Sequence, residues 1–184
     1  MSTRYVKKDN VVLVGVAKNG SQTIKHIALD NADFELREQQ GNWNEDNFID
    51  FNDSNLLILF PNRNHEERLI SEMLEVGMEE DIGETFESRL DYFCNDVMHH
   101  FIKNILFNEN YDGAKIMFFD LKKLSTHLPQ YLGWDIQIPY HNSLAGTPGK
   151  ISLREQLKNV IIKSPEINRT FFDGIKKSKY WIEL

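Results

Sequence analysis

The chain has 184 residues, which suits one domain with a sizeable core and is too short for two comfortable ones. Its formal charge of −7 argues against a general nucleic-acid-binding protein, which would present a basic face. A single cysteine, Cys94, excludes an internal disulfide and fits a reducing compartment. Because no apolar run approaches the roughly 20 residues that span a bilayer, and no signal-peptide core follows the N-terminus, we expect a cytoplasmic protein without membrane contact.

The first half of the chain alternates between strand and helix patterns. Residues 11–16 form a β-branched run that predicts a buried strand. Apolar residues recur at helical spacing over 22–29, which predicts a helix. Residues 34–38 alternate and predict a short strand. The apolar run 56–60 predicts the next buried strand, and Pro61 is expected to end it.

The second half continues this alternation. Helical spacing predicts helices over 66–75 and 88–106, and residues 115–119 predict another buried strand, with a short helix over 120–132. Two helices are predicted to close the chain, over 152–162 and 165–175. Strands separated by helices predict a single three-layer α/β domain over 1–184, with a central, mainly parallel sheet flanked by helices.

The segment between the first strand and the first helix carries the clearest binding pattern. A glycine-containing loop that opens a helix presents backbone N–H groups, and the helix terminus adds about half a positive charge. This loop also holds Lys18, Ser21 and Thr23, so an anion would meet a cation, two hydroxyls and several amides together. Gly20 permits a backbone conformation that other residues resist. The pattern therefore predicts a phosphate site.

The nucleotide-triphosphate P-loop, G-x-x-x-x-G-K-[ST], is the obvious comparison for this loop. Gly15 and Gly20 have its glycine spacing, but Ser21 and Gln22 stand where the Lys and the Ser or Thr belong. The hydroxyl that would bind magnesium after a lysine is missing, and the cation is Lys18, inside the loop. This departure argues against an ATP or GTP hydrolase.

The run Gly15-Val-Ala-Lys-Asn-Gly-Ser-Gln-Thr23 resembles the 5′-phosphosulfate loop of sulfotransferases, especially the carbohydrate type with its K-x-G-[ST]-x-[ST] core. Those enzymes have a P-loop-like fold and use 3′-phosphoadenosine 5′-phosphosulfate (PAPS) as donor. The resemblance implies a catalytic role for Lys18, which would neutralise the leaving phosphate. It implies that the donor is bound by Lys18, Asn19, Gly20, Ser21, Gln22 and Thr23.

A second motif follows the strand 56–60. The run Arg63-Asn-His-Glu-Glu-Arg-Leu-Ile-Ser71 resembles the 3′-phosphate motif of the same family, R-[DN]-P-x-x-R-x-x-S. His65 replaces the usual proline, so the turn can differ in shape. The resemblance implies that Arg63 and Ser71 hold the 3′-phosphate, and a guanidinium fork suits that task because it can bind a phosphate through two hydrogen bonds.

These motifs together predict transfer of a sulfuryl group from PAPS to a hydroxyl or amine of a small-molecule or carbohydrate acceptor, leaving adenosine 3′,5′-bisphosphate. No metal is required in principle. Glu38, at the carboxyl end of the strand 34–38, is the first candidate for the general base, and Glu35 is the fallback. The pair His99 and His100 is a further candidate. Two alternatives stay open: a nucleotide-binding module without transfer activity, and a small-molecule kinase.

Overall fold

A computed structural model describes residues 2–15, 20–40, 48–63, 112–138 and 175–184. These residues form five strands, β1 to β5, at Ser2–Lys8, Val11–Gly15, Glu35–Gln40, Leu57–Asn62 and Lys115–Asp120. The helices are α1 at Ser21–Asp30, a 3₁₀ turn at Leu121–Lys123 and α2 at Leu128–Leu132. None of the described helices is long and apolar enough to cross a membrane.

The five strands form one mixed sheet in the order β3-β1-β2-β4-β5. Strand β1 is antiparallel to both of its neighbours, β2 and β3, whereas β2 pairs parallel with β4 and β4 with β5. It follows that β2, β3, β4 and β5 point the same way and β1 alone runs against them. The chain is therefore α/β, and the antiparallel strand β1, second from one edge, makes its sheet mixed.

Sequence analysis did not predict β1, because its apolar pair, Tyr5 and Val6, is surrounded by polar and basic residues. Neighbouring residues of a strand face opposite sides of the sheet. Tyr5 packs in the core on one face and Val6 in the core on the other, and their side chains are at most 1% exposed. Because β1 has only these two adjacent apolar residues, it shows neither the alternation of a half-covered strand nor the continuous apolar run of a fully buried one.

Two hydrophobic cores lie on the two faces of the sheet. On one face α1 and α2 pack through Ile24, Ile27 and Leu128, whose side chains are fully buried. On the other face the core is covered by residues 48–51 and by the C-terminal segment 175–184. The C-terminal segment also extends the sheet, because Phe118 of β5 exchanges backbone hydrogen bonds with Tyr180 and Ile182.

Two sequence expectations differ from the structure. Strand β4 continues through Pro61 to Asn62 instead of ending before the proline. Beyond Leu59 the described ladder pairs β4 only with β5, so a proline can be accommodated on the side of β2. The helix expected over 120–132 is two short pieces. The Asp120 carboxylate accepts the Lys122 N–H at 2.9 Å and starts the 3₁₀ turn.

The other strands and α1 lie where the sequence predicts them, within two residues at each end. The helices expected over 66–75, 88–106 and 152–162 lie outside the described residues. So does the helix expected over 165–175, apart from Ile175, which is buried against the sheet.

Candidate functional site

The carboxyl ends of β2, β3, β4 and β5 meet along one border of the sheet, which we call the carboxyl edge. Strand β1 runs the opposite way, so its amino end reaches the same border, and Arg4 pairs with both Gly15 of β2 and Glu38 of β3. On the other side Asn62 of β4 lies opposite Asp120 of β5. The carboxyl edge therefore gathers polar side chains from four of the five strands, with Gly15 at the end of β2 between them.

The order of the strands in the sheet reverses between β2 and β4. From β2 the chain passes through α1 to β3, which lies beyond β1 on one flank of β2, whereas β4 and β5 lie on the other flank. In open α/β sheets ligands bind in the crevice at the carboxyl ends of strands where the strand order reverses. By this rule a ligand is expected between β2 and β4, beside Gly20 at the start of α1.

Gly15 ends β2 against the start of α1. A Cβ atom at this position would lie 2.8 Å from the Ser21 Cα and 3.0 Å from the Ile24 Cδ1. The first of these contacts is with backbone, which cannot give way as a flexible side chain can. Glycine here lets the helix begin directly over the end of the strand.

Gly20 is the N-cap of α1 and has a left-handed backbone, with φ of 79°. The left-handed backbone favours glycine, and a Cβ atom would lie 2.6 Å from the Leu121 Cδ1 and 3.3 Å from the Leu124 Cδ2, so these side chains would have to shift. An N-cap glycine has no side chain to accept hydrogen bonds from the amides of the first turn. Those amides and the helix dipole favour an anion at this end of α1.

The residues predicted for the 5′-phosphosulfate loop divide into two groups. Lys18 and Asn19 lie outside the described residues. Ser21, Gln22 and Thr23 follow Gly20 as the first turn of α1, where backbone N–H groups lack intrahelical partners. Ser21 is half-buried and Gln22 exposed, but the Thr23 side chain packs inward with only 3% of its surface exposed. In this conformation Thr23 would offer an anion its backbone amide rather than its hydroxyl.

The predicted base, Glu38, lies between two cations on the α1 side of the sheet. Its Oε1 is 2.9 Å from the Lys25 Nζ and 3.3 Å from the Arg4 Nε. The Arg4 Nη1 also lies 3.5 Å from the Ser21 hydroxyl, which it can donate to. Four side chains from β1, β3 and α1 thus form one cluster at the carboxyl edge, which we call the Arg4 cluster.

These cations act on the acidity of Glu38. The hydrogen bond from Lys25 is the largest influence and, with the charges of Arg4 and Lys25, lowers the pKa of the Glu38 carboxyl against the opposing effect of burial. A lowered pKa keeps the carboxylate ionised but makes it a weaker proton acceptor. Glu38 lies near the carboxyl end of its strand, where the sequence predicted it, and its two cationic partners reduce its basicity.

The fallback base lies elsewhere. Glu35 begins β3 and pairs in register with Lys7, so it is at the opposite end of the strand from Glu38. Its carboxylate contacts the exposed Arg37 at 2.9 Å. His99 and His100 lie outside the described residues. Over the described ranges, no three His, Cys, Asp or Glu side chains come together as metal ligands would.

The second motif begins at the end of β4. Arg63 follows directly after Asn62 and is half-buried, whereas Ser71 lies outside the described residues. The two motifs approach each other, because a Cβ atom on Gly20 would lie 3.8 Å from the Pro61 Cγ, two residues before Arg63. Asn62 is 5% exposed, and its buried Nδ2 has no hydrogen-bond partner among the described residues.

Sequence reasoning missed Arg4 and Lys25. Both are basic residues of the kind that usually cover a surface, and only the pairing of β1 with β2 and β3 brings Arg4 to the carboxyl edge. The spacing of Ser21 and Lys25, four residues apart on a predicted helix, was the one available signal that they share a face.

Comparison with known proteins adds no relative to this description. No protein-family model matches the chain, and neither a curated protein nor a solved structure matches it. What can be said of function therefore depends on the two motifs and on the geometry of the carboxyl edge.

Proposed function

We propose that the chain is a PAPS-dependent sulfotransferase whose donor binds in the crevice at the carboxyl edge between β2 and β4. One observation supports this proposal: Gly20, which opens α1, lies close to Pro61, so the start of α1 and the strand end that precedes Arg63 are near each other at the carboxyl edge. A donor with two separate phosphate groups needs two such anion sites close together, and the motif residues supply one on each side.

The 5′ end of the donor would occupy the start of α1. There the first-turn amides of Ser21, Gln22 and Thr23 would donate to the anion, and Lys18 and Asn19 would complete the site. The close fit of Gly15 and Gly20 against their neighbours holds the helix start in place, so the amides need little rearrangement to bind an anion. The 3′-phosphate would be held by Arg63 and Ser71.

PAPS supplies an activated sulfuryl group. The acceptor oxygen or nitrogen forms a bond to sulfur, the bond from sulfur to the 5′-phosphate oxygen breaks, and its electron pair leaves with adenosine 3′,5′-bisphosphate. Lys18 and the amides of α1 would stabilise the charge that develops on this leaving phosphate. The proton of the acceptor passes to a base, for which Glu38 stays the candidate, although Arg4 and Lys25 weaken it.

The strand directions are compatible with a P-loop-like arrangement, which we propose as the closer description of the fold. Four of the five described strands point one way, and α1 follows β2 through a glycine-containing loop. Strand β1 departs from a mainly parallel sheet because it runs antiparallel between β2 and β3. A small-molecule or carbohydrate acceptor would bind beside the sulfuryl group.

A turnover assay with sulfur-labelled PAPS and a panel of hydroxyl and amine acceptors tests the proposal. The wild-type chain should transfer label, and Lys18→Ala should lose transfer with its unfolding temperature unchanged, since the loss is of charge stabilisation at the leaving phosphate. Normal turnover by Lys18→Ala would contradict the role of that lysine.

The same assay separates the alternatives. Binding of adenosine 3′,5′-bisphosphate without transfer to any acceptor would indicate a nucleotide-binding module. Stabilisation by ATP that requires magnesium, with no preference for the bisphosphate, would indicate a small-molecule kinase.

A further inference from the structure

We infer that Arg4 is a further anion-binding residue, which donates its guanidinium N–H groups to the phosphosulfate end of the donor. This inference rests on the proposed function for the identity of the ligand. It does not rest on the family resemblance, because Arg4 lies outside both motifs, on a strand that pairs antiparallel with its neighbours.

The position of Arg4 carries the first part of the inference. Arg4 lies opposite Gly15 in the β1–β2 pairing, so it stands at the end of the strand from which the loop leaves. Its side chain is on the α1 face, where the Nη1 lies 3.5 Å from the Ser21 hydroxyl in the first turn. An anion bound by the first-turn amides would therefore lie beside this guanidinium group.

The hydrogen bonding of Arg4 carries the second part. Only 11% of the Arg4 side chain is exposed, so water reaches little of it. The Nε is buried and has no well-aligned hydrogen-bond partner among the described residues, although it lies 3.3 Å from Glu38. Buried donors without partners are costly, and a tetrahedral oxyanion is the group that a guanidinium fork binds best.

The charge of the Arg4 cluster carries the third part. Lys25 and Arg4 both contact the same Glu38 oxygen, so two positive charges share one negative charge and the three side chains sum to +1. The start of α1 adds about half a positive charge. Such an excess beside the start of α1 favours an incoming sulfate or phosphate group, while the contact with Glu38 orients Arg4.

Arg37 is a matched control for a purely structural arginine. It lies on β3 directly before Glu38 and contacts a glutamate, Glu35, at 2.9 Å, but its side chain is 55% exposed. Because neighbouring residues of a strand face opposite sides of the sheet, substituting Arg37 removes the same charge from the face opposite the Arg4 cluster. Any effect of overall charge on anion binding should be equal in the two variants.

The test is calorimetric titration of the full chain with adenosine 3′,5′-bisphosphate, using wild type, Arg4→Gln, Arg4→Lys and Arg37→Gln. Loss of charge-assisted hydrogen bonds should weaken binding by Arg4→Gln about 10- to 100-fold. Arg4→Lys keeps the charge but loses the fork and should weaken binding about 3- to 10-fold. Arg37→Gln should change affinity less than about 2-fold. Unfolding temperatures report whether each variant is folded.

Equal affinities for Arg4→Gln and Arg37→Gln would overturn the inference. If Arg4→Gln does not fold, the affinity of Arg4→Lys is the test. Binding by Arg4→Lys as tight as that of the wild type would overturn the inference. Inorganic pyrophosphate, titrated in parallel, separates this inference from the proposed function. Arg4-dependent binding of pyrophosphate with no tighter binding of the nucleotide would sustain the anion site and reject the sulfotransferase. Binding of neither compound would overturn both.

Discussion

The polar residues at the two borders of the sheet have different roles. At the border opposite the carboxyl edge, which we call the amino edge, polar groups close turns: the Asn10 amide donates to the Asn55 carbonyl at 3.1 Å, and the Asp53 carboxylate accepts the Asn55 N–H at 2.9 Å. At the carboxyl edge Arg4 and Lys25 converge on one oxygen of Glu38. The amino edge satisfies its own hydrogen bonds, and the carboxyl edge leaves positive charge in excess.

The backbone shows the same contrast. Each edge has a residue with a left-handed conformation, Asp9 at the amino edge with φ of 52° and Gly20 at the carboxyl edge with φ of 79°. Asp9 is exposed and belongs to the hairpin between β1 and β2, where an aspartate is tolerated. Gly20 is enclosed by Leu121 and Leu124. The carboxyl edge is thus the border where close packing and charge coincide, as a binding site requires.

The largest expected effect is a loss of stability in Gly20→Ala, which is compared with alanine at the other left-handed position, Asp9. Gly20→Ala should lower the free energy of unfolding by about 2–4 kcal/mol, because its Cβ would overlap Leu121 in a backbone that already disfavours alanine. Asp9→Ala should cost less than about 1 kcal/mol, since the aspartate already bears the backbone strain. Urea denaturation of the two variants measures the difference.

The Asp9 variant also serves as a control for binding. Its affinity for adenosine 3′,5′-bisphosphate should be that of the wild type, because the turn lies at the far border of the sheet. Similar losses of stability in the two variants would show that the start of α1 is not the tightly packed element described above.

Glu38→Gln should lower the free energy of unfolding by a smaller amount, and that amount should depend on pH. The cations lower the pKa of Glu38 in the folded state, so its pairs stabilise the fold above the usual carboxyl pKa. This stabilisation is lost as the pH falls through the lowered folded-state value. Because water screens a side chain that is 37% exposed, the variant should lose at most about 1 kcal/mol at pH 7.

Unfolding at pH 7 and at several values below pH 4.5, the ordinary glutamate pKa, checks this dependence. The difference between wild type and Glu38→Gln should shrink as the pH falls. Glu35→Gln, which removes the exposed pair with Arg37, should cost less than about 0.5 kcal/mol. A difference for Glu38→Gln that does not change with pH would show that its carboxylate charge is not what stabilises the cluster.

Much of the fold can be predicted from local pattern. Burial follows directly from the sequence pattern in two elements. These are the β-branched run of β2 and the apolar stripe of α1, in which Ile24 and Ile27 are one turn apart. Strand β1 could not be predicted, because Tyr5 and Val6 are buried by elements on opposite faces of the sheet rather than by a repeating pattern. Predicting it would have required the register of three strands.

The candidate site likewise combines features that the local sequence predicts with features that depend on contacts between distant residues. The glycine spacing of the first loop and the position of Arg63 after a strand are local features, and from them the sequence predicted two phosphate-binding motifs, each directly after a strand. The Arg4 cluster is not local: Arg4 and Glu38 are brought together only by the pairing of β1 with β3. The crowding of Gly20 by Leu121 likewise depends on a contact across about 100 residues of sequence.

Calorimetric comparison of adenosine 3′,5′-bisphosphate with adenosine 5′-monophosphate tests the central claim, a two-phosphate site at the carboxyl edge, most directly. The account predicts that the bisphosphate binds wild type at least about 10-fold more tightly, because Arg63 makes a charge-assisted contact to the 3′-phosphate. Arg63→Ala should remove most of that advantage while leaving the monophosphate affinity nearly unchanged. Equal affinities of the wild type for the two nucleotides, or equal losses in the variant, would contradict it.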